Sequence, residues 1–193
     1  VGPILYVKYA TDEPTPPPVR RQISKYPDNW DLTVTGSAGK RNLDLQITDP
    51  DQATQYLNKS YFIGNLTVCL GRKFSHKSRY VFGLDLGYDE SVQDLEKVDA
   101  YNKGQNVETS SADNWELAAF GGYEIIAHRT HLILHLGYKL LYKDVEGRLP
   151  VFYQRLGVQQ YVYRDLFAGL NVRFHELGSA DNLEWNLGYR MKL

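Results

Sequence analysis

The 193-residue chain is nearly without cysteine, long apolar runs or net charge: Cys69 is its single cysteine and the formal net charge is −1. One cysteine allows no intrachain disulfide and no thiolate metal site, so neither a metal nor another cofactor is expected. A near-neutral balance gives no global basic field, which argues against nucleic acid as a partner. No stretch of about 20 apolar residues occurs, so a membrane-spanning helix is excluded. A membrane-spanning barrel passes that test unseen, because only alternate residues of its strands are apolar. The sequence from Val1 does not read as a signal peptide, and a mature, processed chain is expected. Prolines are crowded at the start, and Pro14, Pro16, Pro17 and Pro18 cannot sit in central sheet. Residues 1–29 are therefore expected to be a proline-rich periplasmic or tethering arm, and residues 30–193 the folded domain.

What the chain does have is alternation. From Leu183 to Leu193 every odd position is large and apolar or aromatic (Leu183, Trp185, Leu187, Tyr189, Met191, Leu193), and every even position is polar, charged or glycine. A strand sends successive side chains to opposite faces, so this segment has one oily and one wet face. Similar runs cover Tyr61–Phe74, Tyr80–Tyr88, Trp115–Ala127, Leu132–Tyr142, Phe152–Val162 and Leu166–Phe174. Gln154 and Gln160 interrupt the apolar face of the run that starts at Phe152. Each run has roughly the 9–11 residues that a tilted transmembrane strand needs. Trp30–Ala38 supplies an eighth strand; Leu43–Ile47 alternates in the opposite phase and reads as a bulged extension or a separate strand. The fold expected is all-β: an antiparallel transmembrane β-barrel of eight strands, with ten as the alternative count.

The connectors alternate between short and long. Ser75–Ser78, Arg129–His131 and Tyr163–Asp165 are brief, whereas Asp89–Asn114, Asp144–Pro150 and Glu176–Asn182 are longer and polar. Short periplasmic turns and longer outer loops mark outer-membrane barrels. Phe62, Tyr88, Trp115, Tyr142, Phe152, Phe174 and Trp185 fall on the apolar face at the long-loop end, as an interfacial girdle would, and the chain's 15 tyrosines suit that role.

The competing architecture is a soluble barrel or sandwich with the apolar face inward. Soluble strands are mostly about 5–6 residues long. The interior of an eight-stranded barrel is only just wide enough for side chains to fill. The bulky apolar residues of every strand fit outside, against lipid, and not inside. The polar face carries Gly71, Gly83, Gly87, Gly122, Gly137, Gly157, Gly169 and Gly188, which leave room for long charged neighbours. Asp85, Glu116, Glu124 and Glu184 are then expected to pair with Lys139, Arg155, Arg173, Arg190 and Lys192, giving a filled polar interior and not a pore.

The segment Ala168-Gly169-Leu170-Asn171-Val172-Arg173-Phe174-His175, followed by Glu176 to Asp181 and then Leu183-Glu184-Trp185, resembles the end of the PagL-type lipid A 3-O-deacylases. It is also similar to the related small Bacteroidetes barrels labelled acyloxyacyl hydrolases. In that family a histidine near the end of the penultimate strand, a serine two residues later and a glutamate on the last strand form a hydrolytic triad. The resemblance implies an ester hydrolase with His175 as base, Glu184 orienting it, and a serine nucleophile. The position two residues after His175 is Leu177, which has no nucleophilic atom, and Ser179 is the nearby hydroxyl. By alternation His175 and Glu184 point into the lumen with Arg173 and Arg190, where they read as a structural hydrogen-bonded pair; a bulge near Phe174 would reverse that phase.

The remaining histidines (His76, His128, His131, His135) lack ligand spacing and are expected in solvated or core roles. Asp49-Pro50-Asp51 and Asp89-Glu90 lie in or at outer loops, where acidic clusters meet solvent or the divalent cations of lipopolysaccharide. Two functional classes follow for a protein of the bacterial outer membrane. One is a non-enzymatic barrel that is structural, displays loops or serves a larger envelope complex, with outer-membrane lipid and lipopolysaccharide around it. Other envelope proteins would meet it through the N-terminal arm or the loop of residues 89–114. The other is the lipid A esterase built on His175, Glu184 and Ser179. The crowded lumen argues against passive transport.

Overall fold

A computed structural model describes residues 29–47, 55–145, 150–175 and 179–193. The strands are β1 (Asn29–Ile47), β2 (Gln55–Ser75), β3 (Ser78–Asp89), β4 (Trp115–Ala127), β5 (Thr130–Leu141), β6 (Phe152–Tyr163), β7 (Leu166–His175) and β8 (Ser179–Lys192). Each pairs antiparallel with its sequence neighbour and β8 closes on β1, giving a closed eight-stranded up-and-down barrel. The ten-strand alternative is thereby removed. Closure leaves no strand edge, which a sheet in hydrocarbon requires because lipid cannot hydrogen-bond free backbone groups.

The faces fall as alternation predicts. Leu66, Val68, Leu70, Phe82, Leu84, Leu132, Leu134, Leu136, Leu187 and Tyr189 are exposed on the outer wall. Asp85, Glu116, Glu124, Lys139, Arg155, Arg173, Glu184 and Arg190 are buried inside. Aromatic residues ring both ends of this wall. Phe62, Tyr88 and Trp115 contact one another in turn at the long-loop end. Phe74, Tyr80 and Tyr123 do so at the short-turn end, where Phe74 and Tyr80 stack at 4.5 Å. An apolar band between two aromatic girdles is the exterior of an outer-membrane barrel, and that is the environment of this chain.

Leu43–Ile47 neither bulges nor forms a separate strand. It continues β1 in one unbroken register against β2, with Leu45 opposite Leu57. Its phase differs because its surroundings do. Above the outer girdle the wall no longer meets lipid, and helix α1 (Ser91–Asn102) packs against β1, so the inward Leu45 is buried. The connection expected to be an open loop from Asp89 to Asn114 thus contains α1 and a short 3-10 turn, Ser111–Asn114. The start of the helix is pinned by Asp89, whose carboxylate accepts from the Ser91 N–H at 2.9 Å. It is pinned again by Glu90, whose carboxylate accepts from the Phe62 N–H at 2.9 Å. Asp94 on α1 accepts from Lys59 and from the Tyr61 hydroxyl on β2. Asp49–Asp51, and the arm before Asn29, lie outside the described residues.

Substituting Leu134, mid-strand on the lipid face, by arginine is expected to cost about 2–4 kcal/mol in equilibrium unfolding from lipid vesicles. The same change at Tyr56, exposed above the girdle, is expected to have little effect. A second expectation concerns α1. Partial burial works to raise the Asp94 carboxyl, but the hydrogen bonds from Lys59 and Tyr61 outweigh it and hold the group below its ordinary value. A depressed folded pKa stabilises above the unfolded value of about 3.9 and is lost as pH falls through the folded value. Resonances of α1 followed by NMR between pH 6 and about 2.5 should therefore show the helix loosening only below about pH 4. In Asp94→Asn that acid transition should vanish.

Candidate functional site

The lumen is built in tiers of charge. Near the short turns, Arg79 is fully buried and donates to both carboxylate oxygens of Asp31, to Glu124, and to the Thr33 hydroxyl at 3.0 Å. Arg190 donates to the other oxygen of Glu124 at 3.1 Å, and His131 Nδ1 lies 3.2 Å from that oxygen. Midway, Asp85 accepts from Arg155 at 2.8 Å and from the hydroxyls of Thr67 and Tyr153. Higher, Glu116 sits between Lys139 at 3.0 Å and Arg173 at 3.3 Å. At the outer rim Arg41 joins Asp89 at 3.0 Å and Asp181 at 3.1 Å, tying β1 to the start of α1 and to β8. A side chain at Gly71 or Gly137 would collide with the Arg79 guanidinium or the Tyr153 ring, so these two glycines make the space their inward neighbours occupy. A mid-lumen void of about 20 Å³ between Thr35, His135 and Asn171 is too small to conduct a solute.

The expected carboxylates are all present, and every expected cation except Lys192 joins them. Glu184 pairs with Arg173 at 3.4 Å and not with Arg190, which belongs to the Glu124 tier. Lys192 is exposed at the end of β8 and takes no part in the core. Alternation identifies a face; the stagger of tilted strands decides which residues of that face meet.

His175, the last residue of β7, is 2% exposed and lies inside the barrel. Neither of its ring nitrogens has a hydrogen-bond partner among the described residues. Glu184 is fully buried and engaged elsewhere. Oε2 accepts from the Ser37 hydroxyl at 3.0 Å, and Oε1 accepts from the amides of Asn65 at 3.0 Å and Asn182 at 3.1 Å. The His175–Glu184 hydrogen bond expected from the sequence is therefore not formed. Ser179 begins β8 and its backbone pairs directly with His175; its side chain, like residues 176–178, lies outside the described residues.

A bulge does occur near Phe174, but on the other strand. Arg173 pairs with Asn182 and Phe174 with Ala180, so the extra residue is Asp181 in β8. Strand β7 keeps its phase and His175 stays inside, while Asp181 turns to Arg41. A nucleophilic hydroxyl needs a base within reach and a third group orienting that base. Of those requirements, this arrangement supplies a neighbouring histidine and serine backbone, without the orienting carboxylate.

Arg79, Asp31 and Arg41 carry much of the network and were not legible as core. Arg79 precedes the run that begins at Tyr80, and Arg41 falls between the segments Trp30–Ala38 and Leu43–Ile47. Among the other histidines, His135 stacks on Phe120 at 4.8 Å, and His131 serves the Glu124 tier. No group of three or more potential metal ligands is found among the described residues.

The family model for the acyloxyacyl hydrolase C-terminal domain matches residues 28–193, which is the whole barrel. The chain belongs to that family. No curated protein matches it. Among solved structures it is similar to Ail, the attachment invasion locus protein of Yersinia pestis, in complex with the heparin analogue sucrose octasulfate. That match has 13% identity over 85% of this chain and 99% of the other, with a TM-score of 0.43. It is also similar to the de novo designed TMB2.3 (12% identity, 84% and 94% coverage, TM-score 0.41). Neisserial surface protein A matches at 11% identity, with 84% and 97% coverage and a TM-score of 0.38.

The partner assignment of Glu184 can be measured. A double-mutant cycle on Arg173→Leu and Glu184→Leu should give a coupling of about 0.5–3 kcal/mol, and the cycle on Arg190→Leu and Glu184→Leu a coupling near zero. Arg190→Leu alone is expected to cost less than the about 3–5 kcal/mol of a stranded buried charge, because Glu124 keeps Arg79. Equal coupling in both cycles would return Glu184 to Arg190.

Proposed function

We propose that this outer-membrane barrel acts without ester chemistry, as a sealed scaffold that presents α1 and the extended β1–β2 hairpin at the cell surface. The observation that carries this reading is the state of Glu184. Its two oxygens are taken by Ser37, Asn65 and Asn182, with Arg173 alongside, and none is directed at His175. A carboxylate committed in this way neutralises and positions Arg173; it does not orient a base. The filled lumen supports the same view by leaving no path for a solute. In this role lipid and lipopolysaccharide surround the wall and outer rim. Other envelope proteins would be met at the segment of residues 89–114 or through the proline-rich residues 1–28, which we assign as an arm on composition alone.

A second reading keeps the family's chemistry: a lipid A ester hydrolase with His175 as base, Ser179 as nucleophile and Glu184 as orienting group. What favours it is the backbone pairing of His175 with Ser179. It requires Glu184 to leave its present partners.

Mass spectrometry of lipid A after incubation with the refolded protein separates the two. The scaffold reading expects intact lipid A, with the barrel shown to be folded by heat-dependent gel migration. Loss of one ester-linked acyl chain, abolished in both His175→Ala and Ser179→Ala, would establish the hydrolase.

A further inference from the structure

At the short-turn, periplasmic end the lumen widens into a vestibule of about 250 Å³ that no tier of the charge network fills. Of the charged groups in its wall, Asp31 is held by Arg79, Arg190 by Glu124, and Lys73 is engaged as well. Three cations in the same wall, Arg129, Arg164 and Lys192, form no ion pair among the described residues. Arg129 reaches only the Val162 carbonyl, at 3.4 Å, and the Arg164 guanidinium lies over the Tyr163 ring at 5.2 Å. The wall also holds Asp165, which has no ion-pair partner among the described residues. The Tyr161 hydroxyl, buried and without a hydrogen bond among them, is in the wall too. Elsewhere in the lumen each buried carboxylate has its cation. Here cations are in excess, the hydroxyl is unused, and there is room for a ligand.

The backbone adds an independent observation. The turns after β4 and β6 each place two residues between strand partners, Ala127 with Thr130 and Tyr163 with Leu166. The first residue of each turn has positive φ: His128 at 60° and Arg164 at 46°. Glycine is the usual occupant of that position in a two-residue hairpin, and a larger side chain there stores of order 1–3 kcal/mol of strain. Both strained residues are basic and both line the vestibule.

We propose that the periplasmic vestibule binds the free-carboxylate end of a cell-wall-type peptide. Arg129, Arg164 and Lys192 receive the carboxylate, and Asp165 receives an ammonium group where the peptide carries one. Guanidinium forks match carboxylates bidentately. The vestibule is walled by residues from strands around the whole barrel, inward-facing ones such as Arg190 and Tyr161 among them, and so opens along the barrel axis, with Trp30 of the outer wall only at its edge. That orientation favours a peptide of the periplasmic polymer over a phospholipid headgroup, which would have to enter from the side. The site is at the opposite end of the barrel from His175 and holds whichever reading of that residue is correct.

The test is calorimetric titration of the full chain, folded in zwitterionic detergent. The probes are a soluble disaccharide–tripeptide cell-wall fragment, the same fragment with its carboxylates amidated, and micelles doped with phosphatidylglycerol. The free fragment should bind, and amidation should abolish binding. Arg129→Gln and Arg164→Gly should each weaken binding at least about tenfold, the loss of one charge-assisted hydrogen bond. Arg164→Gly should at the same time unfold no more readily than the parent, because glycine relieves the strained turn; this keeps loss of binding separate from loss of fold. Equal binding of the amidated fragment, or unchanged affinity in both variants, would overturn the proposal. Binding confined to the doped micelles would replace it with a lipid-headgroup site.

Discussion

Everything in this molecule depends on the compensation of charge inside a barrel too narrow to be wet. Eight strands enclose a space that side chains fill, and here many of those side chains are ionised. A lone buried charge costs several kcal/mol, so each carboxylate must meet a cation at short range, as Asp31 and Glu124 meet Arg79. Such pairs add little net stability against a well-packed apolar core. Their value here is register. A strand slipped by one residue exchanges its two faces and would put Arg173 or Glu184 into hydrocarbon, at a cost far above that of a misplaced leucine. A lumen of apolar residues would leave both faces alike and the register weakly determined.

The same network limits the chemistry at the outer end. His175 and Glu184 occupy the strands where the family's motif places its histidine and glutamate, and both face inward. Being inside, Glu184 is drawn into neutralising Arg173 and accepting from Ser37, Asn65 and Asn182. Releasing it to serve His175 would leave Arg173 with Glu116 as its one carboxylate, beside the Asn65 side-chain oxygen. The bulge at Asp181 works in the same direction, since it directs one more carboxylate to Arg41 and closes the rim. Family membership gives this chain a barrel; these contacts engage Glu184 and Asp181 within its interior.

Much of this was legible because period-two alternation is a direct print of a wall with lipid on one side and charge on the other. It identified the faces of β2 to β8 and the outer girdle without any knowledge of pairing. It failed where the environment changes along a strand. Leu43, Leu45 and Ile47 look out of phase only because inward positions become apolar once α1 covers them. Helix α1 itself was hidden because its buried stripe is Val92, Glu96 and Ala100. The central residue of that stripe is a carboxylate ion-paired to Lys143 at 3.0 Å, so no apolar periodicity announces a helix. Partner identity was illegible for a third reason. Glu184 has two arginines on its face within reach in principle, Arg173 and Arg190, and the stagger of the closed sheet chooses between them.

A lumen sealed in the middle also separates the two ends of the molecule. The void beside the Asp85–Arg155 tier is about 20 Å³, too small for a solute to pass. The two ends are built differently. At the outer end Arg41 is ion-paired to both Asp89 and Asp181, and α1 packs against β1. The inner end stays open, with cations left over and two turns kept in a conformation that glycine would adopt at less cost. Strain retained where a simpler residue would remove it points to the side chain, and at both turns that side chain is basic and lines the same vestibule. The periplasmic mouth is thus the part of this barrel whose construction is least explained by the need to fold.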